Sequence, residues 1–121
     1  GLSGPKSRYV EALARALEDG SLDLAALAGA GDVEAMDTIQ SVKGLGPWSA
    51  AIYLLFCEGR VDIWPPGDVA LMTAYQAAAD LEKRPPAKEF DPLAEAWRPY
   101  RGVAAHILWT YYAHLKRRKP I

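Results

Sequence analysis

The stretch VKGLGPWSAA at residues 42–51 decides how this chain folds. Gly44 and Gly46 lack a Cβ atom, so the backbone can turn sharply here and lie close against a large neighbour. Pro47 suits the first position of a new helix, because the N–H group that it lacks would have no intrahelical partner there. The stretch therefore predicts a helix, a tight glycine turn and a second helix. The backbone N–H groups at the start of that second helix are suited to hold a phosphate.

Apolar residues recur at helical spacing through the rest of the chain, and no segment alternates as a strand would. We expect an all-α fold, a helical bundle in which a helix-hairpin-helix motif covers about 33–58. The length of 121 residues fits one domain over 1–121. The expected helices, with the residues expected to face inward, are 5–19 (Val10, Leu13, Leu17), a short helix marked by Leu22, Leu24 and Leu27, a helix capped by Asp32 and ending near Val42 (Val33, Met36, Ile39), Pro47 to about Glu58 (Trp48, Ile52, Leu55), Asp68 to about Leu81, a helix with Asp91 as N-cap and Pro92 at its first position that ends near Arg98, and Tyr100 to Arg118.

Composition limits the classes of site that the chain can carry. The single cysteine, Cys57, cannot form an internal disulfide, which favours a reducing cytoplasm, and it excludes a four-cysteine iron–sulfur cluster within this chain. A net charge of −1 does not indicate a nucleic-acid binder. The basic run 116–119 is more typical of a solvated helix end, which the helix dipole favours, than of a phosphate contact. His106 and His114 lack the spacing and the third ligand that would indicate zinc.

One carboxylate, Asp68, follows Trp64-Pro65-Pro66-Gly67 at the expected start of another helix. Asp is among the best N-cap residues, so the position alone indicates a structural cap. A carboxylate fixed at such a place can also stabilise a developing positive charge, and it can align or deprotonate an attacking water. Both interpretations of Asp68 are open from its immediate neighbours.

Three stretches taken together resemble the helix-hairpin-helix DNA glycosylases, the superfamily that excises damaged bases from DNA. They are GLGPWSA at 44–50, PPGD at 65–68, and WRPYRGVAA at 97–105 with the pair Leu108-Trp109. The opening Gly1-Leu2-Ser3, with Lys6 and Tyr9, also looks like the start of one helix of that family, so the likeness spans nearly the whole chain. Within the superfamily the chain most resembles the 3-methyladenine-DNA glycosylase II branch, which removes alkylated bases.

The resemblance also implies that this chain is part of a longer protein. Members of the family have further helices upstream, and nothing in this sequence matches them. We expect an apolar face that such an upstream segment, or self-association of the chain, would cover.

The resemblance implies a function as well as a fold. Duplex DNA with a damaged base would be the partner, and Asp68 would be the catalytic carboxylate of a monofunctional glycosylase in base-excision repair. Trp48 stands where strand-nicking relatives carry a Schiff-base lysine, so water is the expected nucleophile. Trp48 and Trp109 correspond to pocket-lining tryptophans, whose electron-rich faces attract a cationic purine. Both are also explained as core aromatics. Ile52 departs from a tyrosine in the best-known pattern, which indicates weaker stacking or a different base preference.

The resemblance assigns the hairpin to the DNA backbone. The expected DNA-binding residues are Lys43, Gly44, Leu45, Gly46 and Ser49. The backbone carbonyls of Gln40, Val42 and Gly44 would hold a Na⁺ or K⁺ ion when DNA is bound, and no other cofactor is expected. Arg101 matches a family arginine, although a contact with a helix start or a carboxylate explains it equally well. The alternatives are a non-catalytic DNA-binding module, an inactive glycosylase fragment, and a helical bundle that binds other proteins.

Overall fold

A computed structural model describes residues 4–118 of the chain. Over these residues it contains seven α-helices and one 3-10 helix and no strand, which confirms the all-α prediction. No helix in this range is long and apolar enough to cross a membrane. The helices are α1 (Gly4–Glu18), α2 (Leu24–Ala28), α3 (Asp32–Gln40), α4 (Pro47–Phe56), α5 (Val69–Ala78), α6 (Ala87–Leu93), the 3-10 helix (Ala94–Trp97) and α7 (Arg101–Arg118).

The chain divides into two compact units, Gly1–Glu58 and Gly59–Ile121. In the first unit, α3 packs on α4, and α2 packs on α3. The predicted helix-hairpin-helix is formed by α3, the turn at 41–46 and α4. Residues 1–3 and the side chains of Lys6 and Tyr9, which contributed to the family resemblance, lie outside the described residues, and so does part of the basic run at 116–119.

Several residues expected to face the interior of the first unit are exposed instead. Val33 is 77% exposed, Val10 is 54% exposed and Trp48 is 47% exposed, so these predictions were wrong. The buried positions on α3 and α4 include the small residues Ala35 and Ala50. Alanines let two helices approach closely, and a pattern judged by large apolar side chains therefore missed part of each buried face. The inward predictions for Ile39 and Leu55 are confirmed, since both are buried.

The first helix shows a similar error, because Ala16 is buried while Leu17 is 43% exposed. Ala16 packs with Leu22 and Val42, and Leu13 is half-buried against them. Leucines from α1 and α2, with Ile39, line an apolar groove of about 190 Å³ in the first unit.

In the second unit α5 packs along α7, and α6 continues into the 3-10 helix that packs on α7. Its core contains Trp64, Leu71, Met72, Phe90, Ala94 and Ala105. Phe90 is fully buried, and its ring lies 5.5 Å from that of Trp64 and 5.1 Å from that of Tyr75. The helix α5 is shorter than predicted because Asp80 takes a left-handed conformation (φ 55°) and the Leu81 N–H donates to the Gln76 carbonyl at 2.9 Å. This geometry closes a helix C-terminus.

The prediction for Asp91 and Pro92 was wrong. Neither starts a helix, because both lie inside α6, which begins at Ala87 after the N-cap Pro86. The helix begins earlier than expected because this register buries Phe90 completely. Asp32 was likewise predicted as an N-cap, but Gly31 occupies that position and Asp32 is the first helical residue. An acidic residue there suits the helix dipole.

Candidate functional site

Asp68 caps the N-terminus of α5 and is almost entirely buried, at 8% exposure. Its Oδ1 accepts a hydrogen bond from the Leu71 backbone N–H at 3.0 Å. The predicted N-cap role is therefore confirmed. Burying a carboxylate is costly unless N–H donors satisfy it, and the positive end of the α5 dipole lowers that cost further. The carboxylate is thus held in a fixed direction.

Trp109, on α7, reaches the same carboxylate. Its indole Nε1–H donates to Asp68 Oδ1 at 3.3 Å, so two N–H groups converge on one oxygen atom. The ring of Trp109 is also edge-on to that of His106, with 5.5 Å between the ring centroids. The structure therefore brings together the predicted catalytic residue and one of the two predicted pocket tryptophans, which are far apart in the sequence.

The loop at 59–67 carries the chain into Asp68, and one side chain from α6 holds the end of it. Asp91 Oδ1 accepts from the Trp64 indole Nε1–H at 3.0 Å, and Asp91 Oδ2 accepts from the Gly67 N–H at 3.0 Å. Gly67 has a φ of 70°, in the left-handed region that glycine adopts without steric cost. Nothing in the local sequence around Asp91 indicates this role, because no spacing predicts a contact with residues so far upstream.

The beginning of the same loop is bound to the first turn of α7. Arg101 donates to Asp62 Oδ1 from its side-chain Nε at 2.9 Å and from its backbone N–H at 3.1 Å. The Gly102 N–H donates to the Val61 carbonyl at 2.8 Å. Hydrogen bonding from Arg101 holds the pKa of the Asp62 carboxyl below its usual range, although partial burial opposes that shift. Arg101 thus makes the carboxylate contact that was one of its two expected roles.

In the first unit, the hairpin turn presents its backbone to the surface. Lys43 and Gly44 are exposed, and Gly44 has a φ of 90°. The Leu45 N–H donates to the Val42 carbonyl at 3.1 Å, and the Leu45 side chain packs against the cluster that contains Val42. Leu45 therefore anchors the turn, while its two neighbours on the N-terminal side remain accessible.

The helix α4 begins directly after this turn. Gly46 is its N-cap without a side-chain cap hydrogen bond, and Pro47 is at its start, as predicted. Ser49 is half-buried in the first turn, and Trp48 lies beside it. Trp48 belongs to the first unit, whereas Asp68 and Trp109 belong to the second. The predicted pocket role of Trp48 stays a prediction.

The described part of the chain contains no group of three or more His, Cys, Asp or Glu side chains that could hold a metal ion. This finding concerns side-chain ligands. The backbone-carbonyl cation site predicted at Gln40, Val42 and Gly44 stays a prediction.

Solved structures of DNA glycosylases are similar to this chain. No family model matches the chain. The crystal structure of a DNA-3-methyladenine glycosidase from Bacillus halodurans matches with a TM-score of 0.82 and 28% identity, over 98% of this chain and 54% of that one. The 3-methyladenine DNA glycosylase Mag1 of Schizosaccharomyces pombe, in complex with abasic DNA, matches with a TM-score of 0.84 and 25% identity, over 90% of this chain and 53% of that one.

Curated sequences agree with these structures. The alkylbase DNA glycosidase-like protein mag2 of Schizosaccharomyces pombe is 33% identical over 63% of this chain and 36% of its own length. A DNA-3-methyladenine glycosylase of Bacillus subtilis is 25% identical over 86% of this chain and 34% of its own length. The chain therefore resembles DNA-3-methyladenine glycosylases of the helix-hairpin-helix type in both sequence and fold. It spans roughly half of the matched structures and about a third of these curated relatives.

Proposed function

We propose that this chain carries the catalytic part of a monofunctional DNA N-glycosylase, which excises alkylated bases from duplex DNA in base-excision repair. The observation that carries the proposal is the buried Asp68 carboxylate, held by N–H groups of Leu71 and Trp109 in a chain that resembles these glycosylases. The relatives named as 3-methyladenine glycosylases support the substrate class. Such an enzyme would act in the cytoplasm and, if the source is a bacterium, at the nucleoid, where the DNA is.

Hydrolysis of the N-glycosidic bond of an alkylated purine requires one carboxylate and a water molecule. The base must first be rotated out of the duplex to reach a protein site. As the C1′–N bond breaks, its electron pair leaves with the base and the sugar gains oxocarbenium character, by analogy with glycoside hydrolysis. Asp68 would stabilise that positive charge. It would also accept a proton from the water whose oxygen bonds to C1′. An N-alkylated cationic purine departs as a neutral base, so no general acid is required.

Trp48 and Trp109 are proposed as walls of the base pocket. An indole face attracts a cation, which favours a positively charged alkylated purine over an undamaged base. Trp48 has no amine, so it cannot form the Schiff base through which strand-nicking relatives act. We therefore expect base release without strand cleavage.

The hairpin is proposed to bind one phosphate of the DNA backbone. Its accessible groups suit this role: the exposed Lys43, the backbone at Gly44 and Gly46, and the start of α4 with Ser49. Leu45 would contribute by anchoring the turn. The N-terminus of a helix favours an anion because its N–H groups and its dipole both point outward.

The carbonyls of Gln40, Val42 and Gly44 fit a monovalent cation in their chemistry, because neutral backbone oxygens can replace the hydration shell of K⁺. The Val42 carbonyl accepts one hydrogen bond, from Leu45, and a carbonyl oxygen has two lone pairs. A cation bound there would add positive charge beside the phosphate.

A base-release assay on methylated duplex DNA tests the proposed function. The unaltered chain should release alkylated purines without nicking the strand, and Asp68→Asn should reduce the single-turnover rate by at least about 100-fold, the scale expected for losing an electrostatic stabiliser. DNA binding should survive, because Asn keeps the size of the side chain. Salt-dependent duplex binding without base release by either protein would instead indicate a non-catalytic DNA-binding module.

A further inference from the structure

Asp91 joins two parts of the loop that leads to Asp68. Each of its carboxylate oxygens accepts one hydrogen bond at 3.0 Å, one from the indole of Trp64 and the other from the backbone N–H of Gly67. Hydrogen bonds to an ionised acceptor are stronger than those between neutral groups. The two bonds therefore fix both a side chain and a peptide group of the loop to α6.

The Asp91–Gly67 hydrogen bond acts directly next to Asp68. The N–H of Gly67 lies in the rigid peptide plane that joins Pro66 to Gly67, so the bond to Asp91 fixes the chain one residue before Asp68. Only the φ and ψ angles of Gly67 separate that plane from the peptide that enters Asp68. Gly67 has a φ of 70° and no Cβ, and its own conformational preferences do not hold it in place. The Asp91 contact supplies the restraint that the glycine lacks.

The part of α6 that carries Asp91 is tightly packed. Phe90, the residue before Asp91, is fully buried, and its ring packs 5.5 Å from that of Trp64. Trp64 is itself 8% exposed and packs 5.5 Å from Trp97. Asp91 therefore extends from a tightly packed part of the core, and the Trp64 indole that it binds is part of the same aromatic cluster. Asp has a low propensity for a helix interior, so these contacts offset a local cost at this position.

We propose that Asp91 is a positioning residue for base excision, which holds the Trp64–Gly67 segment so that Asp68 points its carboxylate at the reacting sugar. This inference rests on the proposed function of Asp68. In this role Asp91 needs no contact with the DNA or with the reacting atoms. It acts through the two hydrogen bonds described above.

The variant Asp91→Asn tests this role at nearly constant size. An amide has one acceptor oxygen and an NH₂ group, so one of the two loop N–H groups must now face another donor. We expect the single-turnover rate of base release at saturating enzyme to fall about 10–100-fold, the range that a small misplacement of a catalytic group can cost. The affinity for methylated duplex DNA should be unchanged. Asp23→Asn is the control for loss of a carboxylate charge, because Asp23 accepts both of its N–H groups on Oδ1, which an amide oxygen can replace, and it lies in the first unit at the start of α2.

A second change separates positioning from simple destabilisation. Trp64→Phe keeps an aromatic ring but removes the indole N–H, so in the double variant with Asp91→Asn the amide oxygen can accept from Gly67 without a donor opposing it. We expect the double variant to release base faster than Asp91→Asn alone, although loss of the larger buried ring lowers its melting temperature further. Recovery with a neutral residue at 91 would also show that geometry rather than charge is responsible.

The outcomes are distinguishable from failure of the proposed function. A wild-type rate in Asp91→Asn overturns the proposal, and so does a double variant that is slower still and follows the melting temperature. If the unaltered chain releases no base, the function fails, and nuclear magnetic resonance then decides the positioning role. The Leu71 N–H and Trp109 indole N–H resonances, both of groups bonded to Asp68, should shift in Asp91→Asn but not in Asp23→Asn. Unchanged resonances would overturn the role of Asp91.

Discussion

The hairpin turn at 41–46 and the loop at 59–67 each lead into a helix that carries a proposed functional group, but they are held in different ways. The turn is closed by neighbours in sequence, such as the Leu45 N–H bonded to the Val42 carbonyl. The loop is held by side chains from distant parts of its unit, Asp91 at one end and Arg101 at the other. The turn should therefore be sensitive to backbone changes and the loop to side-chain changes far from it.

The largest effect on stability is expected when the start of the loop loses its cation. Arg101→Met removes the side-chain hydrogen bonds to Asp62, while the backbone N–H at 101 still donates to it. The Asp62 carboxylate stays partly buried near Glu95, which loses the same cation. Breaking a buried ion pair by removing one partner costs about 3 kcal/mol or more. Because the Arg101 side chain is 16% exposed, we expect a loss of about 2–3 kcal/mol in the free energy of unfolding, measured by urea denaturation.

Arg98→Met is the matched control for that measurement. Arg98 also contacts Asp62, at 3.4 Å, and Glu95, at 3.0 Å, but its side chain is 51% exposed. Exposed pairs contribute at most about 1 kcal/mol. Equal losses for the two arginines would contradict the view that the partly buried contact is the one that holds the loop.

The two regions also show what the sequence allowed us to predict. The turn was predicted correctly because glycine and proline determine local geometry, and the N-cap at Asp68 was predicted for the same reason. The family resemblance assigned Asp68 and Trp109 to one functional site, but the hydrogen bond between them was not predicted. The role of Asp91 was missed because it depends on the register of α6, which the burial of Phe90 sets. Contacts made through tertiary packing leave no local signal, and the faces of α1, α3 and α4 were predicted only in part for a related reason.

The next effect concerns the turn, where a backbone change should matter most. Gly44→Ala places a Cβ on a residue with a φ of 90°, which costs about 1–2 kcal/mol for an ordinary L-residue. We expect urea denaturation to show a loss of that size in the free energy of unfolding.

Gly46→Ala serves as the control in the same turn. Gly46 has a φ of −94°, and an added Cβ would meet nothing within 4 Å, so its loss should stay below about 1 kcal/mol. If both variants were equally destabilised, strain at Gly44 would not be what sets the turn apart. A loss of duplex affinity in Gly46→Ala without a loss of stability would instead indicate that DNA approaches the backbone there.

The smallest expected effect is a pH dependence carried by the loop. The pKa of Asp62 is lowered in the folded chain, chiefly by hydrogen bonding from Arg101. Its contribution to stability is therefore complete above the unfolded pKa of about 3.9, and it is lost as the pH falls through the lower pKa of the folded state.

Asp62→Asn removes the titrating group. The difference in the free energy of unfolding between the unaltered chain and this variant should thus shrink as the pH falls from about 5 to about 3. Asp19, whose pKa is also lowered, is present in both proteins, so its contribution cancels. A difference that stays constant over this range would show that Asp62 contributes through the shape of its contacts with α7 and not through its charge.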